Sequence, residues 1–159
     1  MTALALNPEQ QQAFDAALAG FNMFVTGGAG TGKSVLVRAI RRRLANSCLV
    51  AAPTGLAALN VDGVTVHSLF KSEAAALKEI RTLILDEASM IPPDMISRLV
   101  GTAKRVRHCD APWGGLQVIL VGDLAQMPPV IRGAHAHTIE RQYDGVPYFF
   151  ASKVFRGSS

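Results

Sequence analysis

The stretch GGAGTGKS, from Gly27 to Ser34, has the residue types and spacing of the pattern G-x-x-x-x-G-K-[ST]. Its glycines let the backbone bend until several N–H groups converge, and N–H groups that converge at a helix start bind phosphate oxygens. Lys33 would then reach the terminal phosphates, and the hydroxyl of Ser34 would ligate a magnesium ion. A glycine-rich turn without a ligand is the alternative. We predict a nucleoside triphosphate site whose cradle consists of Gly28, Ala29, Gly30, Thr31 and Gly32.

Two adjacent acids, Asp86 and Glu87, end a second apolar run that begins at Leu83. Ligands of open α/β sheets bind at the carboxyl ends of the strands, so we expect both side chains there. Asp86 would hold magnesium through water or Ser34, and Glu87 would polarise the attacking water as a general base. The alternative is that both acids only cap the following turn. Adjacent Asp and Glu favour ATP hydrolysis, whereas a single acid would suit a GTPase or a nucleotide kinase.

The elements that must position these residues alternate along the chain. Near-continuous apolar blocks suit strands buried on both faces of a parallel sheet, and segments with helical periodicity separate them. The predicted strands are Met23 to Thr26, Cys48 to Ala52, Thr82 to Leu85 and Gln117 to Val121; the predicted helices are Pro8 to Gly20, Ser34 to Ala45 and Asp94 to Lys104. This alternation predicts an α/β, doubly wound fold, in which a mostly parallel sheet has helices on both faces.

Other regions allow weaker predictions. Asp62 and Gly63 form a turn signal between β-branched residues, which predicts a small hairpin. Trp113 has two interpretations, a base-stacking platform or an anchor packed on the domain. In the tail, an aromatic group could pack back on the sheet; its members are Tyr148, Phe149, Phe150 and Phe155.

The length of 159 residues fits one compact domain. The formal net charge is +4. This mild basic excess is compatible with a phosphate-rich partner. The two cysteines, Cys48 and Cys109, do not form a disulfide framework, and without a Cys-x-x-Cys pair they do not suggest zinc. The start of the chain lacks the features of a signal peptide, and no apolar run is long enough to span a membrane. We expect a soluble protein of the cytoplasm, or of the nucleoid in a bacterium.

Several motifs occur in an order that resembles the first motor domain of superfamily 1B DNA helicases, the Pif-type and RecD-like branch. The resemblance runs from Leu6 to about Phe155 and is most specific in the pattern Gly-Asp-x-x-Gln-x-Pro-Pro. The segments that carry it are LNPEQ (6–10), similar to the Q motif; APTGLAA (52–58), similar to motif Ia; TVHSLF (65–70), similar to the motif that follows it; LDEASM (85–90), similar to motif II; VGDLAQMPPV (121–130), similar to motif III with Met127 where leucine is usual; and PYFFASKVF (147–155), similar to the segment after motif III.

The resemblance implies a RecA-like P-loop NTPase fold and roles for two glutamines at the nucleotide. Gln10 would read the N6/N7 edge of adenine and so select ATP over GTP. It also stands at the capping-box position of a helix that starts after Asn7, and the two interpretations are compatible. Gln126 would sense the γ-phosphate and link hydrolysis to DNA, with Lys33 and Glu87 as the other catalytic residues. The alternative for Gln126 is a loop glutamine that only forms hydrogen bonds with the backbone.

The resemblance also implies single-stranded DNA as a partner. Thr54 and Gly55 would grip backbone phosphates, and His67 would stack on the strand or hydrogen-bond to it. A packed or surface histidine is the alternative for His67. The arginines at 41–43 and the basic run at 104–107 could bind phosphates, although solvated helix ends explain both. No oligomer and no membrane contact is implied.

Two departures from the family shape the functional expectation. The stretch between His67 and Asp86 is shorter than the branch usually carries. We expect residues 1–159 to form a single P-loop NTPase domain, without the second motor domain that supplies an arginine finger in helicases of this type. Such arginines contribute about 10³ to 10⁵ in rate in related enzymes, so we expect ATP binding, slow hydrolysis and no unwinding by the chain alone. The resemblance implies a helicase that moves in the 5′–3′ direction. One alternative is a regulatory P-loop module without productive turnover. A kinase of the nucleotide or shikimate type is a weaker alternative.

Overall fold

The computed structural model describes residues 5–126, 133–143, 148–149 and 152–155. Its helices are α1 (Pro8–Leu18), α2 (Lys33–Leu44), α3 (Gly55–Asn60), α4 (Ala76–Glu79), α5 (Pro93–Arg107) and α6 (Ala134–Tyr143). Its strands are β1 (Met23–Thr26), β2 (Cys48–Ala52), β3 (Val64–Thr65), β4 (Thr82–Leu85) and β5 (Gln117–Gly122). Short 3₁₀ helices span Ala45–Ser47, Val66–Phe70, Ala88–Met90 and Pro112–Gly115.

The five strands form one sheet in the order β1-β5-β4-β2-β3, and every neighbouring pair is parallel. This confirms the predicted parallel α/β architecture. Three strands have the predicted bounds, and β5 is one residue longer than predicted. The predicted and observed strand bounds agree for a physical reason. Strands covered on both faces need apolar side chains at successive positions, and such runs are easy to recognise in a sequence.

Helices cover both faces of the sheet, as predicted. Side chains alternate along β4, so Leu83 and Leu85 belong to one core cluster and Ile84 to the other. The first cluster is closed by α5, which contributes Ile96 and Leu99. The second is closed by α1 and α2, through residues that include Ala17, Leu36, Val37 and Ile40. The sheet is therefore fixed from both sides, which holds its carboxyl-terminal edge rigid.

The predicted hairpin at Asp62 and Gly63 is wrong. β3 follows them but runs parallel to β2, with Val64 opposite Ala51. The connection contains α3, which carries the chain back so that β3 enters the sheet in the same direction as β2. Gly63 serves a different purpose from a hairpin turn, because a Cβ at this position would lie 2.5 Å from the carbonyl oxygen of Val50.

Aromatic residues of the tail pack back on the domain, as the sequence suggests. The ring of Phe149 lies 5.4 Å from that of Phe24 in β1, and the ring of Phe155 lies 5.9 Å from that of Trp113. Trp113 is only 4% exposed, so it is an anchor and the base-platform interpretation is wrong. Phe150 lies outside the described residues. In the described part of the chain, no helix combines the length and the apolar composition needed to cross a bilayer.

Candidate functional site

The carboxyl-terminal edge of the sheet collects most of the predicted site residues. Thr26 is paired with Gly122, so the segment that starts at Gly27 leaves the sheet beside the segment after β5. Leu85 is paired with both Leu120 and Ala51, which places Asp86 between the ends of β5 and β2. Ala52 is paired with Thr65, and Thr54 and His67 each follow two residues later. The strand order therefore arranges the phosphate loop, the segment of Gln126, the acid pair, Thr54 and His67 in one row.

The phosphate loop has the geometry that its glycines predict. Gly30 and Gly32 have φ values of 77° and 84°, in the left-handed region that favours glycine. Helix α2 begins immediately after, at Lys33, and no side chain among the described residues caps its N-terminus. The Lys33 ammonium donates hydrogen bonds to the carbonyl oxygens of Gly27 and Gly28, the second at 2.7 Å. The loop thus combines a fixed lysine with a helix N-terminus, two features that bind phosphate.

The acid pair lies in an environment that raises both carboxyl pKa values. Asp86 is buried, and desolvation raises its pKa, while the backbone N–H of Glu87 and the charge of Lys33 act in the opposite direction. Desolvation also raises the pKa of Glu87, and the neighbouring Asp86 carboxylate adds to that effect. A carboxylate with a raised pKa is a stronger base near neutral pH. The effect of Lys33 on the pKa of Asp86 is the smallest of the three, and it indicates that the phosphate loop and the first acid lie close enough to interact.

Backbone strain is present at Glu87 itself. Its φ and ψ are 49° and 42°, the left-handed conformation that non-glycine residues adopt rarely and at a cost of about 1–3 kcal/mol. The Glu87 N–H donates to Oδ1 of Asp86 at 3.0 Å, which fixes the first acid relative to the second. Strain of this kind persists where surrounding structure enforces it, and it is frequent in active sites.

The turn after the acids contacts the strand that leads to Gln126, a contact that sequence reasoning missed. A Cβ at Gly122 would lie 3.1 Å from the backbone nitrogen of Ser89 and 3.4 Å from its hydroxyl. Ser89 is completely buried, and its Oγ has no hydrogen-bond partner among the described residues. The signal in the sequence is Gly122. Because a glycine has no side chain, the backbone of Ser89 can approach it closely.

Gln10 links α1 to the phosphate loop. The predicted capping box is present, because the Gln10 backbone N–H donates to Oδ1 of Asn7 at 2.8 Å and Oε1 of Gln10 accepts from the Asn7 N–H at 3.0 Å. The amide nitrogen of Gln10 donates to the carbonyl oxygens of Thr31 and Gly32 at 3.2 and 3.3 Å. A cavity of about 290 Å³ adjoins this amide, and its lining includes Phe24. The predicted contact of Gln10 with adenine stays a prediction.

Gln126 lies at the end of a turn that leaves β5. Its backbone N–H donates to the carbonyl oxygen of Asp123 at 3.1 Å, and Ala125 N–H donates to Oδ1 of Asp123 at 2.9 Å. The Gln126 side chain is exposed, and its segment leaves the strand next to the one that leads into the phosphate loop. The two prolines at 128 and 129, which we expect to stiffen this loop, lie outside the described residues.

The residues predicted to bind DNA are accessible. The Thr54 hydroxyl accepts a hydrogen bond from the Ala57 N–H at 3.2 Å and so caps α3. Gly55 is exposed, and a Cβ there would meet nothing within 4 Å. His67 is exposed, and its ring lies 6.3 Å from that of Phe70. A hydroxyl, an open backbone and an imidazole thus occur together at one end of the row.

One residue of each basic run has a structural partner. Arg41 forms an ion pair with Asp62, with 3.6 Å between nitrogen and oxygen. Arg107 donates to three backbone carbonyls at 2.7–2.8 Å, those of Gly114, Leu77 and Ile80. Among the residues that the structure describes, no three His, Cys, Asp or Glu side chains cluster as a metal site would require.

Comparison with known proteins agrees with this geometry. Residues 5–144 match the profile of the family described as PIF1-like helicase. The chain is 41% identical over 149 residues to ATP-dependent DNA helicase PIF5 of Trypanosoma brucei brucei, covering 79% of this chain and 16% of that protein. It is 37% identical over 160 residues to ATP-dependent DNA helicase Pif1 of Bdellovibrio bacteriovorus, covering 88% of this chain and 35% of that protein.

The fold agrees with solved structures of the same kind. The crystal structure of a Bacteroides Pif1 helicase in complex with ADP-AlF3 and ssDNA superposes with a TM-score of 0.88 at 34% identity, over 96% of this chain and 40% of that one. The Pif1 helicase of Candida albicans superposes with a TM-score of 0.78 at 32% identity, over 97% of this chain and 38% of that one. The chain therefore spans well under half the length of these relatives, and within that span both its sequence and its sheet place it in the PIF1-like helicase family.

Proposed function

We propose that this chain is the first motor domain of an ATP-dependent DNA helicase, which couples ATP hydrolysis to movement along single-stranded DNA. The observation that carries the proposal is the single row at the carboxyl-terminal edge of the sheet. It begins at the phosphate loop, passes the acid pair and ends at Thr54 and His67. Hydrolysis and strand binding would therefore act on the two ends of one rigid edge.

ATP hydrolysis follows from the chemistry of this row. The cradle and Lys33 would bind the phosphates, and Glu87 would accept a proton from water as its oxygen attacks the γ-phosphorus. The bond between that phosphorus and the β–γ bridging oxygen then breaks, which yields ADP and phosphate. Gln126, in the segment that follows β5, would report the presence of the γ-phosphate to the DNA-binding end of the edge. Two observations on relatives support this assignment. The relatives from Trypanosoma and Bdellovibrio are named ATP-dependent DNA helicases, and a Bacteroides relative was solved with ADP-AlF3 and ssDNA.

Magnesium belongs to the proposal, and the residues present fit it. A P-loop magnesium needs only one or two protein oxygens, because phosphates and water supply the remaining ligands. Ser34 is exposed at the start of α2, and Asp86 is a buried carboxylate near the charge of Lys33. These two side chains would hold the ion, and the ion would supply positive charge to stabilise the phosphates during hydrolysis.

Partners and location complete the proposal. A second motor domain would supply the arginine finger and the rest of the DNA track, and 5′–3′ movement follows from the resemblance to the 1B branch. A cytoplasmic location is supported by Cys48 and Cys109, which are both free thiols. Burial raises the pKa of the Cys48 thiol to about 11, so that thiol is unreactive near neutral pH.

The direct test is the steady-state ATPase rate of the chain with and without single-stranded DNA. We expect slow turnover that the DNA accelerates, because Thr54 and His67 share one rigid edge with Glu87. Measuring phosphate release over a range of DNA concentrations checks this. Turnover that ignores DNA while ATP binds tightly would support the alternative, a nucleotide-dependent regulatory module, and would contradict the motor assignment.

Gln10→Glu tests adenine recognition. Glutamate keeps the oxygen that accepts from Asn7, so the capping box survives, but it loses the amide donor of Gln10. We expect ATP affinity to fall about tenfold more than GTP affinity, because only adenine uses the matched donor and acceptor. Equilibrium binding of both nucleotides gives the ratio, and Gln12→Glu on the same helix is the control. An equal loss for ATP and GTP would assign Gln10 to the phosphate loop alone.

A further inference from the structure

Two side chains of one 3₁₀ helix and one side chain of α5 form a row beside the edge proposed to bind DNA. His67 and Phe70 lie three residues apart in the 3₁₀ helix Val66–Phe70, where side chains at that spacing eclipse each other. Their ring centroids are 6.3 Å apart and the rings are nearly perpendicular, at 74°. The guanidinium carbon of Arg98, in α5, lies 4.4 Å from the centroid of Phe70. We call these residues the His67–Phe70–Arg98 row.

The guanidinium of Arg98 is positioned but not neutralised. Its contact with the Phe70 ring is a cation–π interaction, which restricts the side chain without consuming its N–H donors. Arg98 is exposed and makes no ion pair or hydrogen bond with a residue that the structure describes. Phe70 is half-buried against the core cluster closed by α5, so its ring is a fixed support. A planar cation held in this way is suited to bind a phosphate through two parallel N–H donors.

The His67–Phe70–Arg98 row lies beside the path that we propose for single-stranded DNA. The register of β2 and β3 places His67 level with Thr54. Helix α5 follows the acid pair and so starts at the carboxyl-terminal edge, which puts Arg98 in its second turn near that edge. Arg105 is on the same face of α5 but seven residues further, about 10 Å along the helix axis. Arg98 and Arg105 are therefore both exposed arginines of α5, but Arg105 lies further from the carboxyl-terminal edge of the sheet.

We propose that Arg98 binds a backbone phosphate of single-stranded DNA, and that Phe70 is the positioning residue that presents the guanidinium and His67 to the strand. The inference rests on the proposed function, since it requires a strand along the edge that carries Thr54 and His67. With Arg98, the proposed DNA-binding surface extends from the carboxyl-terminal edge of the sheet onto α5. Sequence reasoning did not find it, because Arg98 and Phe70 are separated by 28 positions and Arg98 lies outside the motifs that carry the family resemblance.

The salt dependence of DNA binding measures the contact. Each phosphate contact on a single strand adds about 0.7 to the slope of log affinity against log salt concentration. With a short fluorescein-labelled oligothymidine and the whole chain, we expect Arg98→Ala to lower the slope by about 0.7 and to weaken binding at low salt several-fold. Arg98→Lys keeps the charge and should restore the slope but only part of the affinity. Arg105→Ala is the matched control and should bind like the wild-type chain.

Phe70 variants test the positioning role. Phe70→Leu keeps an apolar side chain against the core but removes the ring, so we expect weaker binding with a normal unfolding temperature. Phe70→Tyr keeps the ring and should restore binding. An Arg98→Ala slope equal to the wild-type slope would overturn this inference, and so would an equal loss with Arg105→Ala. In those cases a loss with His67→Ala or Thr54→Val would leave the proposed function standing. Absence of DNA binding by the wild-type chain at low salt would contradict both.

Discussion

Glu87→Gln is expected to lower the single-turnover rate of ATP hydrolysis about 10²- to 10⁴-fold, the usual contribution of a general base. Glutamine has nearly the same shape but cannot accept the proton of the attacking water. ATP affinity should change little, because the phosphate contacts belong to the cradle and to Lys33. The measurement is hydrolysis of radiolabelled ATP with the chain in excess and single-stranded DNA present, a format that detects slow reactions.

The Glu87 prediction has internal controls. Glu79→Gln alters an exposed glutamate in α4 and should leave the rate unchanged. The unfolding temperature of Glu87→Gln should equal or exceed that of the wild-type chain, because the substitution removes a partly desolvated charge beside Asp86. A rate within a few-fold of wild-type would show that another group accepts the proton.

The same residue predicts a pH profile. Desolvation, reinforced by Asp86, raises the pKa of Glu87 above the ordinary range of a glutamate. Only the ionised carboxylate accepts a proton, so activity is present above the raised pKa and is lost as pH falls through it. The acid limb of the rate profile should therefore lie at higher pH than an ordinary glutamate would give. Glu87→Gln should abolish that limb in whatever activity is left.

Lys33→Ala is expected to weaken ATP binding about 10- to 150-fold, the equivalent of one charge-assisted hydrogen bond at about 1.5–3 kcal/mol. The lysine ammonium donates hydrogen bonds to the carbonyl oxygens of Gly27 and Gly28, which hold it at the phosphate loop. Its removal takes away the group that would contact the terminal phosphates. Titration calorimetry with ATP and magnesium measures the effect directly.

Comparison of nucleotides sharpens the Lys33 prediction. ADP lacks the γ-phosphate, so the loss of affinity should be larger for ATP than for ADP. Lys33→Arg keeps the charge but replaces a compact ammonium by a planar fork, and it should restore only part of the binding. Lys78→Ala, on the exposed side of α4, is the control. An equal loss for ATP and ADP would place Lys33 away from the terminal phosphate.

The two substitutions separate binding from chemistry. Lys33→Ala should act on ATP affinity and Glu87→Gln on the rate once ATP is bound. A regulatory module without turnover would show the first effect and not the second.

Much of this fold was predictable because its strongest signals are local. The strand β4 is buried at every position, and its continuous apolar run gave its bounds correctly. The capping box of Asn7 and Gln10 was also legible, since both partners lie within one helical turn. Helix α5 was predicted to end at Lys104, whereas it continues to Arg107, which bonds the carbonyls of Leu77 and Ile80. Partners so far away in the sequence leave no local pattern.

The sequence by itself determined which chemical groups are available: a glycine-rich loop with Lys33 and Ser34, two adjacent acids, and strands that must be buried on both faces. Only the tertiary structure decided which groups are neighbours. The order β1-β5-β4-β2-β3 places the phosphate loop beside the segment of Gln126, and the crossover through α3 turns an expected hairpin into a parallel edge strand that carries His67 to the same edge. The physical reason is that propensity and hydrophobic pattern act over a few residues, whereas strand pairing and side-chain contacts are settled by how the whole chain buries its apolar surface.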